Sequence, residues 1–372
     1  MNAIRVNILS PGRFIVLDLA RELDKHGYDV RFYSYVPNKR VVKFGLPVRC
    51  NVSFLVFVAP FLYLSRRFPH SRWPNRIRRW IQDTITSIYM RKCDVLISMS
   101  GEFTKSNRRA KKDGSILIIE RGSMHVLEQK RILEAIPSLV GTKPVPEDNV
   151  KKELIDYRLA DYVSVASLHV RDSFVKLGYP IERLFVNPYG VDLKMFASDP
   201  NRKPRYDIIM IGQWSYRKGC DLVLDAVDKK GYRLLHIGSI IDVDLIDSPN
   251  ITQITRVDIT ELGYYINQAK VFALPSREEG MALVQAEAIA CNIPLIGSPY
   301  SGANDLKKMV EYPEYISIIP EFTTDALIEA IEYSLRAYDD LGNRSYAGDC
   351  LKELTWSAYG ERYAGFLKRI LA

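Results

Sequence analysis

The sequence predicts an α/β protein made of two doubly wound parallel-sheet domains, and three observations lead there. Short β-rich apolar runs alternate with helical patterns from end to end, which is what parallel sheets covered on both faces require. The alternation falls into two series, and 372 residues at roughly 100–200 residues per domain accommodate two cores. Between the series lies a polar, proline-containing stretch, residues 197–205 (ASDPNRKPR), which reads as a linker.

Strands are assigned where a short run is apolar and rich in β-branched or aromatic residues; helices where a longer run places apolar residues three and four apart. In the first series the strands are Ile4 to Leu9, Tyr28 to Ser34, Val52 to Phe57, Asp94 to Ser98, Ser115 to Glu120, Tyr162 to Val165 and Leu184 to Asn187. Helices fall at Ile15 to Lys25, Arg76 to Met90 and Leu168 to Leu177. The second series has strands at Asp207 to Gly212, Arg233 to Gly238, Ile251 to Ile254, Val271 to Pro275, Ile293 to Gly297 and Tyr315 to Ile319. Its helices are Cys220 to Lys229, Ala282 to Cys291 and Asp325 to Ala337. A last helix, Thr355 to Leu371, follows the closed second series. The division is therefore 1–196, 197–354 and a tail, 355–372, expected to pack back on the first domain.

Composition narrows the function classes. A 47% apolar content with 26% charged residues suits filled cores, and no uncharged run approaches the ~18 residues of a membrane span. The nearest, Phe54 to Leu64, is too short. Met1 leads straight into a strand-like stretch without a signal-peptide pattern, so a cytoplasmic location is expected. Five cysteines, far apart and never as Cys-x-x-Cys, and five scattered histidines point to neither a disulfide framework nor a metal site. The net charge of +8 is local: Arg66 to Lys112 holds thirteen Lys/Arg against Asp83, Asp94 and Glu102. One basic face suits an anionic surface or a polyanion.

In doubly wound sheets ligands sit beyond the carboxyl ends of the strands, where helix N-termini meet phosphates. After the strand ending at Gly212 comes Gln213-Trp214-Ser215-Tyr216-Arg217-Lys218-Gly219 and then a helix. Arg217 and Lys218 before a helix start would hold a diphosphate; the alternative is a solvated basic loop. In Pro275 to Ile296, Glu279 ends a strand-to-helix loop ahead of Gly280, and Glu287 is embedded among Leu283, Val284, Ala286, Ala288, Ile289 and Ala290. A carboxylate there is buried at a cost unless something hydrogen-bonds it, and ligand hydroxyls are one such partner.

Those residues resemble the retaining nucleotide-sugar glycosyltransferases of family 4, with the GT-B architecture of two facing Rossmann-like domains and a cleft between them. The resemblance rests on Pro275-Ser276-x-x-Glu279-Gly280, the continuation Glu287-Ala288-x-Ala290-Cys291 and a following proline, with the family's paired glutamates at Glu279 and Glu287. Lys218-Gly219, Asn187-x-x-Gly190-Val191-Asp192, Ser301-Gly302-Ala303-Asn304-Asp305-Leu306 and the Trp356 helix also match. The resemblance is strong over about 184–372 and fold-level before that. It implies an acceptor-binding first domain and a donor-binding second domain. Lys218 would bind the donor diphosphate, Glu287 the ribose and Glu279 the sugar near the reacting carbon, with Gly212, Gly280, Met281, Ala282 and Leu283 lining the donor. His125, which follows Ser115 to Glu120, matches a family histidine facing the donor sugar; alternatively it is a structural hydrogen-bonder. Two positions depart from the family. Gln213 stands where an arginine is usual, so Arg217 is expected to supply the second charge, and Ser10-Pro11-Gly12-Arg13 replaces a glycine pair, placing Gly12 and Arg13 in the acceptor or diphosphate loop.

In the basic segment Ile77, Ile81, Ile85 and Ile88 with Trp80 form a helical stripe, while Arg76, Arg78, Arg79, Gln82 and Asp83 take other faces. One reading is a core-facing helix with a solvated basic back. The other is a membrane face of Arg66, Arg67, Arg72, Trp73, Arg76, Arg78, Arg79 and Trp80, peripheral on the inner face of the plasma membrane. The expected reaction is retaining transfer from a UDP- or GDP-linked sugar, without metal or other cofactor, to a glycan or lipid-linked glycan in bacterial surface polysaccharide assembly. The rivals are a nucleotide-sugar epimerase of the same fold and a catalytically idle binding protein. Nucleic acid is not an expected partner, because aromatic interleaving is absent outside Trp73 and Trp80.

Overall fold

The computed structural model describes residues 3–68, 71–342 and 344–372. The first domain runs β1 (Arg5–Leu9), α1 (Ile15–Lys25), β2 (Asp29–Ser34), α2 (Asn38–Lys43), β3 (Asn51–Ser53), α3 (Leu55–Arg67) and α4 (Trp73–Tyr89). It continues with β4 (Val95–Met99), α5 (Thr104–Lys112), β5 (Ile116–Arg121), α6 (Val126–Glu134), α7 (Glu147–Leu159), β6 (Tyr162–Val165), α8 (Leu168–Lys176) and β7 (Leu184–Val186). The second domain runs β8 (Tyr206–Ile211), α9 (Cys220–Lys230), β9 (Leu234–Ile237), β10 (Ile251–Ile254), α10 (Ile259–Ile266), β11 (Ala269–Ala273) and α11 (Leu283–Ala290). It closes with β12 (Leu295–Gly297), α12 (Ala303–Met309), β13 (Ile316–Ile318) and α13 (Thr324–Leu341), before α14 (Cys350–Glu353) and α15 (Trp356–Leu371).

Both sheets are parallel, in the orders β3-β2-β1-β4-β5-β6-β7 and β10-β9-β8-β11-β12-β13. Each reverses strand order beside its first strand. Val6 lies between Val30 and Val95, and Ile208 between Leu234 and Val271. The crevices outside those two strands are where doubly wound sheets bind ligands. Alternation along the strands decides which layer each side chain joins. Val6, Ile8, Val95 and Ile97 pack in the core that includes α1 and α15, and Leu9, Leu96, Leu117 and Ile119 in the core beneath α5–α7.

The tail helix α15 lies on α1 of the first domain. Gly360 sits against Glu22, where a side chain would overlap it. The Tyr363 hydroxyl donates to Glu120 Oε1 at 2.7 Å, and Phe366 stacks on Phe185 with ring centres 4.1 Å apart. The Asn187–Asp192 loop fastens the same helix: Arg362 Nε donates to Asn187 Oδ1 at 2.7 Å and Val191 N to Leu354 O at 2.7 Å.

The structure departs from the sequence reading at two elements. The strand expected over Val52 to Phe57 stops at Ser53, where β3 ends as an edge strand beside β2, and the apolar run beyond it becomes α3. Helix α4 differs from a core-facing helix in that its apolar stripe is split, Ile81 and Ile85 being half-buried with Ile85 against the core while the rest of the stripe faces out. Its buried residues are Pro74, Arg78, Gln82, Asp83 and Thr86, while Ile77, Trp80, Ile88 and Tyr89 are exposed. The cause is what it packs on, which is α3, α5 and loop backbone rather than an apolar sheet face. Gln82 Nε2 donates to Ser10 O at 2.9 Å, and Asp83 accepts from Lys105 N at 2.9 Å and Ser106 N at 3.0 Å, capping α5. Unpaired buried backbone groups would cost more than the apolar stripe loses by facing out. Two arginines assigned to a membrane face are therefore corrected: Arg78 is buried over Tyr35, and Arg79 donates to Gly101 O and Asn149 Oδ1, both at 2.7 Å. Arg66, Arg67, Arg72, Trp73, Arg76 and Trp80 remain exposed. Among the described residues no helix is long and apolar enough to cross a membrane.

Candidate active site

Beyond β8 the chain passes Gly212 and a single 3-10 turn, Tyr216–Lys218, before Gly219 starts α9. Gly219 has φ +74°, and a side chain there would collide with the Pro275 carbonyl, so glycine lets the loop after β8 touch the loop after β11. Arg277 N donates to Arg217 O at 2.8 Å and pins the pair of loops. This contact brings the two cations onto the two adjacent glutamates. Lys218 Nζ is ion-paired with Glu279 Oε2, and Arg217 lies 3.5 Å from Glu279 Oε1 and 2.9 Å from Glu278 Oε2. Burial pushes the Glu279 carboxyl up, but the charges of Lys218 and Arg217 outweigh it and hold the group below the usual carboxylate range.

Glu278 ties this cluster to the first domain. Its side chain is fully buried. Oε1 accepts from Ser123 Oγ and from Met124 N at 3.2 Å, and Oε2 accepts from Gln129 Nε2 at 2.9 Å as well as from Arg217. Burial is offset by Arg217 and by the bonds from Ser123 and Gln129, which hold this carboxyl at about 2. Beside it, Gly280 lies against the Gly122 carbonyl so closely that any side chain would overlap it. His169 Nε2 bonds the Glu279 carbonyl at 2.6 Å, and Leu168 N donates to Asp305 Oδ2 at 2.5 Å. The cleft is closed over the cluster.

Glu287, on α11, lines a separate cavity of about 120 Å3 together with Arg13, Asp18, Leu283 and Asp192. It is buried, its Oε2 has no hydrogen-bond partner, and desolvation raises its pKa to about 8 despite the pull of Arg13. A buried acceptor without a donor is what a ligand hydroxyl would satisfy.

Residues 205–337 match the family model described as glycosyl transferases group 1. That span contains Arg217, Lys218, Glu278, Glu279 and Glu287. It is a glycosyl transferases group 1 domain. The chain is 26% identical over 182 residues to a putative colanic acid biosynthesis glycosyltransferase of Escherichia coli, a match covering 42% of this chain and 43% of that protein. It is 25% identical over 174 residues to a GDP-mannose-dependent alpha-(1-6)-phosphatidylinositol monomannoside mannosyltransferase of Mycolicibacterium smegmatis, covering 39% and 46%. The matches thus span less than half the length of these curated relatives. In fold, the chain superposes on Anabaena HepE in complex with UDP-glucose with TM-score 0.66 at 14% identity, covering 98% of this chain and 100% of that one. The architecture is GT-B.

Within the group 1 domain, Gly212 takes φ +135° and its carbonyl accepts from His236 Nε2 at 2.9 Å. Met281 packs on Gly302, Ala282 precedes α11, and Leu283 faces the Glu287 cavity. Across the cleft Gly12 lies under the Tyr35 hydroxyl, and the Arg13 guanidinium sits 3.6 Å above the Phe44 ring. His125 is not brought to the glutamates. Its ring packs on Tyr157 and Phe174 with centres 5.0 and 4.8 Å away, Nδ1 accepts from Leu127 N at the start of α6, and burial lowers its pKa to about 4. The histidine at the cleft is His169, which the sequence reading passed over although it too follows a strand end. Among the described residues no three His, Cys, Asp or Glu side chains gather as a metal cage.

The raised Glu287 gives the group 1 domain a testable pH dependence. Its folded pKa, about 8, lies above the unfolded value. In the window between about 4.5 and 8 the unfolded chain therefore holds fewer protons, and stability falls as pH rises. Glu287→Gln is expected to stabilise the ligand-free protein by on the order of 3 kcal/mol at neutral pH. The gain over the wild type should shrink toward pH 4.5, as read from melting midpoints across the window. A gain independent of pH would mean that the carboxyl is not the cause.

Proposed function

We propose that this chain is a retaining glycosyltransferase of hexosyl type that moves a sugar from a nucleotide diphosphate donor to a lipid-linked glycan in bacterial surface polysaccharide assembly. The observation that carries the reading is Arg217 and Lys218 gathered on Glu279 at the strand ends of a group 1 domain. In the proposed step the bond from the anomeric carbon to the diphosphate oxygen breaks, the acceptor oxygen bonds that carbon on the same face, and the acceptor proton passes to the departing diphosphate. Arg217 and Lys218, with the α9 N-terminus, neutralise the leaving charge without a metal, and ionised Glu279 steadies the positive sugar. Glu287 takes the ribose hydroxyls. The colanic acid relative supports the polysaccharide setting, and UDP-glucose in HepE supports the donor class. A melting panel of UDP-, GDP-, ADP- and TDP-sugars tests this, because a bound donor raises the midpoint by mass action. One class should shift the wild type and shift Lys218→Ala at least tenfold less sensitively. No shift with any nucleotide sugar would refute the reading.

The α3–α4 hairpin is proposed to seat the enzyme on an anionic membrane as a peripheral protein. Its outer face exposes Val56 at 84%, Tyr63 at 68%, Trp80 at 58% and Ile88 at 62%, ringed by Arg66, Arg67, Arg72 and Arg76. Exposed apolar side chains rimmed by arginine suit a headgroup boundary, where each basic residue adds roughly 1 kcal/mol. Wild-type protein is expected to co-sediment with phosphatidylglycerol vesicles and not with phosphatidylcholine vesicles, and less so at high salt. Val56→Asp with Trp80→Glu should stay in the supernatant while keeping its melting midpoint. Equal pelleting of that variant would leave the face without this role.

A further inference from the structure

We propose that His169, in the first turn of α8, is a positioning residue for Glu279, which rests on the glycosyl-transfer reading and adds to it the group through which the first domain aligns the carboxylate. Four groups hold Glu279: Lys218 and Arg217 hold its side chain, its N–H donates to Tyr300 O at 2.9 Å, and its carbonyl accepts from His169 Nε2 at 2.6 Å. The first three belong to the second domain. Among the described residues, His169 makes the one hydrogen bond that reaches Glu279 from the first domain. Gly280 follows at once and is kept a glycine by the Gly122 carbonyl, so no side chain there restrains the peptide between Glu279 and Gly280. The bond from His169 is what fixes the direction of that peptide's carbonyl, and with it the backbone from which the Glu279 side chain springs.

The start of α8 sets the geometry of the donor. β6 ends at Val165, Ser167 is the N-cap, and the first turn faces the second domain: Leu168 N donates to Asp305 Oδ2 at 2.5 Å, and Ser167 Oγ lies 3.4 Å from Gly280 O. A carbonyl oxygen only accepts, so Nε2 carries the hydrogen of the imidazole. Nδ1, 3.0 Å from Ser167 Oγ, then accepts from that hydroxyl. Burial favours this neutral ring, lowering its pKa from the usual histidine value against the pull of the Glu279 carbonyl and of Asp305. One tautomer thus satisfies both ring nitrogens. A histidine that only filled the interface would need neither a fixed tautomer nor the carbonyl of the one residue whose carboxylate faces both cations. Because donor and acceptor sit on different domains, the bond forms only in the closed cleft, so closure and the alignment of Glu279 occur together.

Two substitutions in the full chain separate alignment from simple closure. In His169→Gln the side-chain amide nitrogen falls near the place of Nε2 and still donates to Glu279 O. In His169→Asn it falls near Nδ1, keeps Ser167 as a partner and stops short of Glu279. The readouts are the melting midpoint and the steady-state release of nucleoside diphosphate, with water as the acceptor, from whichever UDP-, GDP-, ADP- or TDP-sugar raises the wild-type midpoint. His169→Asn is expected to lose roughly tenfold or more in kcat with the donor KM unchanged, and His169→Gln to recover most of that loss. Equal kcat in the wild type and His169→Asn overturns the proposal. So does an equal loss in both variants, or a loss carried by KM, because His169 would then only hold the domains together. The ring gives a reading that needs no turnover and no folded variant of full activity. Nitrogen NMR of the histidine rings, assigned by the signal missing from His169→Gln, should show Nε2 protonated and Nδ1 bare, and the opposite tautomer overturns the proposal. Failure of the glycosyl-transfer reading has a different signature: no nucleotide sugar shifts the wild type, while the ring tautomer stays as stated.

Discussion

Glu279→Gln is expected to lower sugar transfer by roughly 10²–10³-fold, about 2.7–4 kcal/mol of transition-state stabilisation. Glutamine keeps the volume and still offers Lys218 an acceptor, so the fold should survive. What it removes is the negative charge, which Lys218 and Arg217 hold ionised against the pull of burial. A carboxylate kept ionised in a closed cleft can act on a developing positive centre as a nucleophile or as an electrostatic partner. With the same-face transfer proposed above, both roles are expected to keep the donor's anomeric configuration in the wild type. Nucleoside diphosphate affinity should change far less than turnover, since an interaction made only in the transition state lowers the rate without lowering ground-state binding. Proton NMR of the product and single-turnover rates check both points. An inverted product, or a variant with near wild-type turnover, contradicts the assignment.

The strands and the loops beyond them were legible because their patterns are local. Tyr162 to Val165 and Ile251 to Ile254 are strands with the expected ends, and the other strands, Val52 to Phe57 apart, differ by a residue or two at their ends. The run after Ser53 was not legible. Leu55 to Leu64 is apolar enough for either state, and in the structure it is a helix packed on α4. The orientation of α4 was hidden for a related reason. Periodicity identifies two faces but not which one meets the protein, and here packing on α3, α5 and loop backbone buried mostly the polar face. Glu278 beside Glu279 gave no periodic signal at all. Its role appears only when Ser123, Gln129 and Arg217 arrive from three other segments. His125 and His169 both follow strand ends in sequence. The turn into α6 sends one ring into the aromatic cluster, and the turn into α8 sends the other to Glu279 O.

Glu278→Ala is expected to be the most destabilising single change in the cleft, because it removes the acceptor for Ser123, Met124 N, Gln129 and Arg217 together. Breaking one side of a buried ion pair costs about 3–5 kcal/mol, most of it from the charge left behind. Glu278→Gln should fall between, since its amide can keep the Ser123 and Met124 bonds but meets Gln129 and Arg217 donor to donor. The pH dependence separates lost charge from lost volume. The folded pKa, about 2, lies below the unfolded one, so the ionised group's contribution is fully present above about 4.5 and is lost as pH falls toward 2. The gap between wild type and Glu278→Gln should therefore narrow in that acid window and stay constant above it. Because three of the four bonds, from Ser123, Met124 and Gln129, join the two domains, the variants should also open the cleft. Hydrogen exchange at Ser123 and Met124 should rise, and the radius of gyration in solution should grow. Unchanged exchange at both positions alongside a lowered melting midpoint would mean that Glu278 serves its own loop and not the closure of the domains.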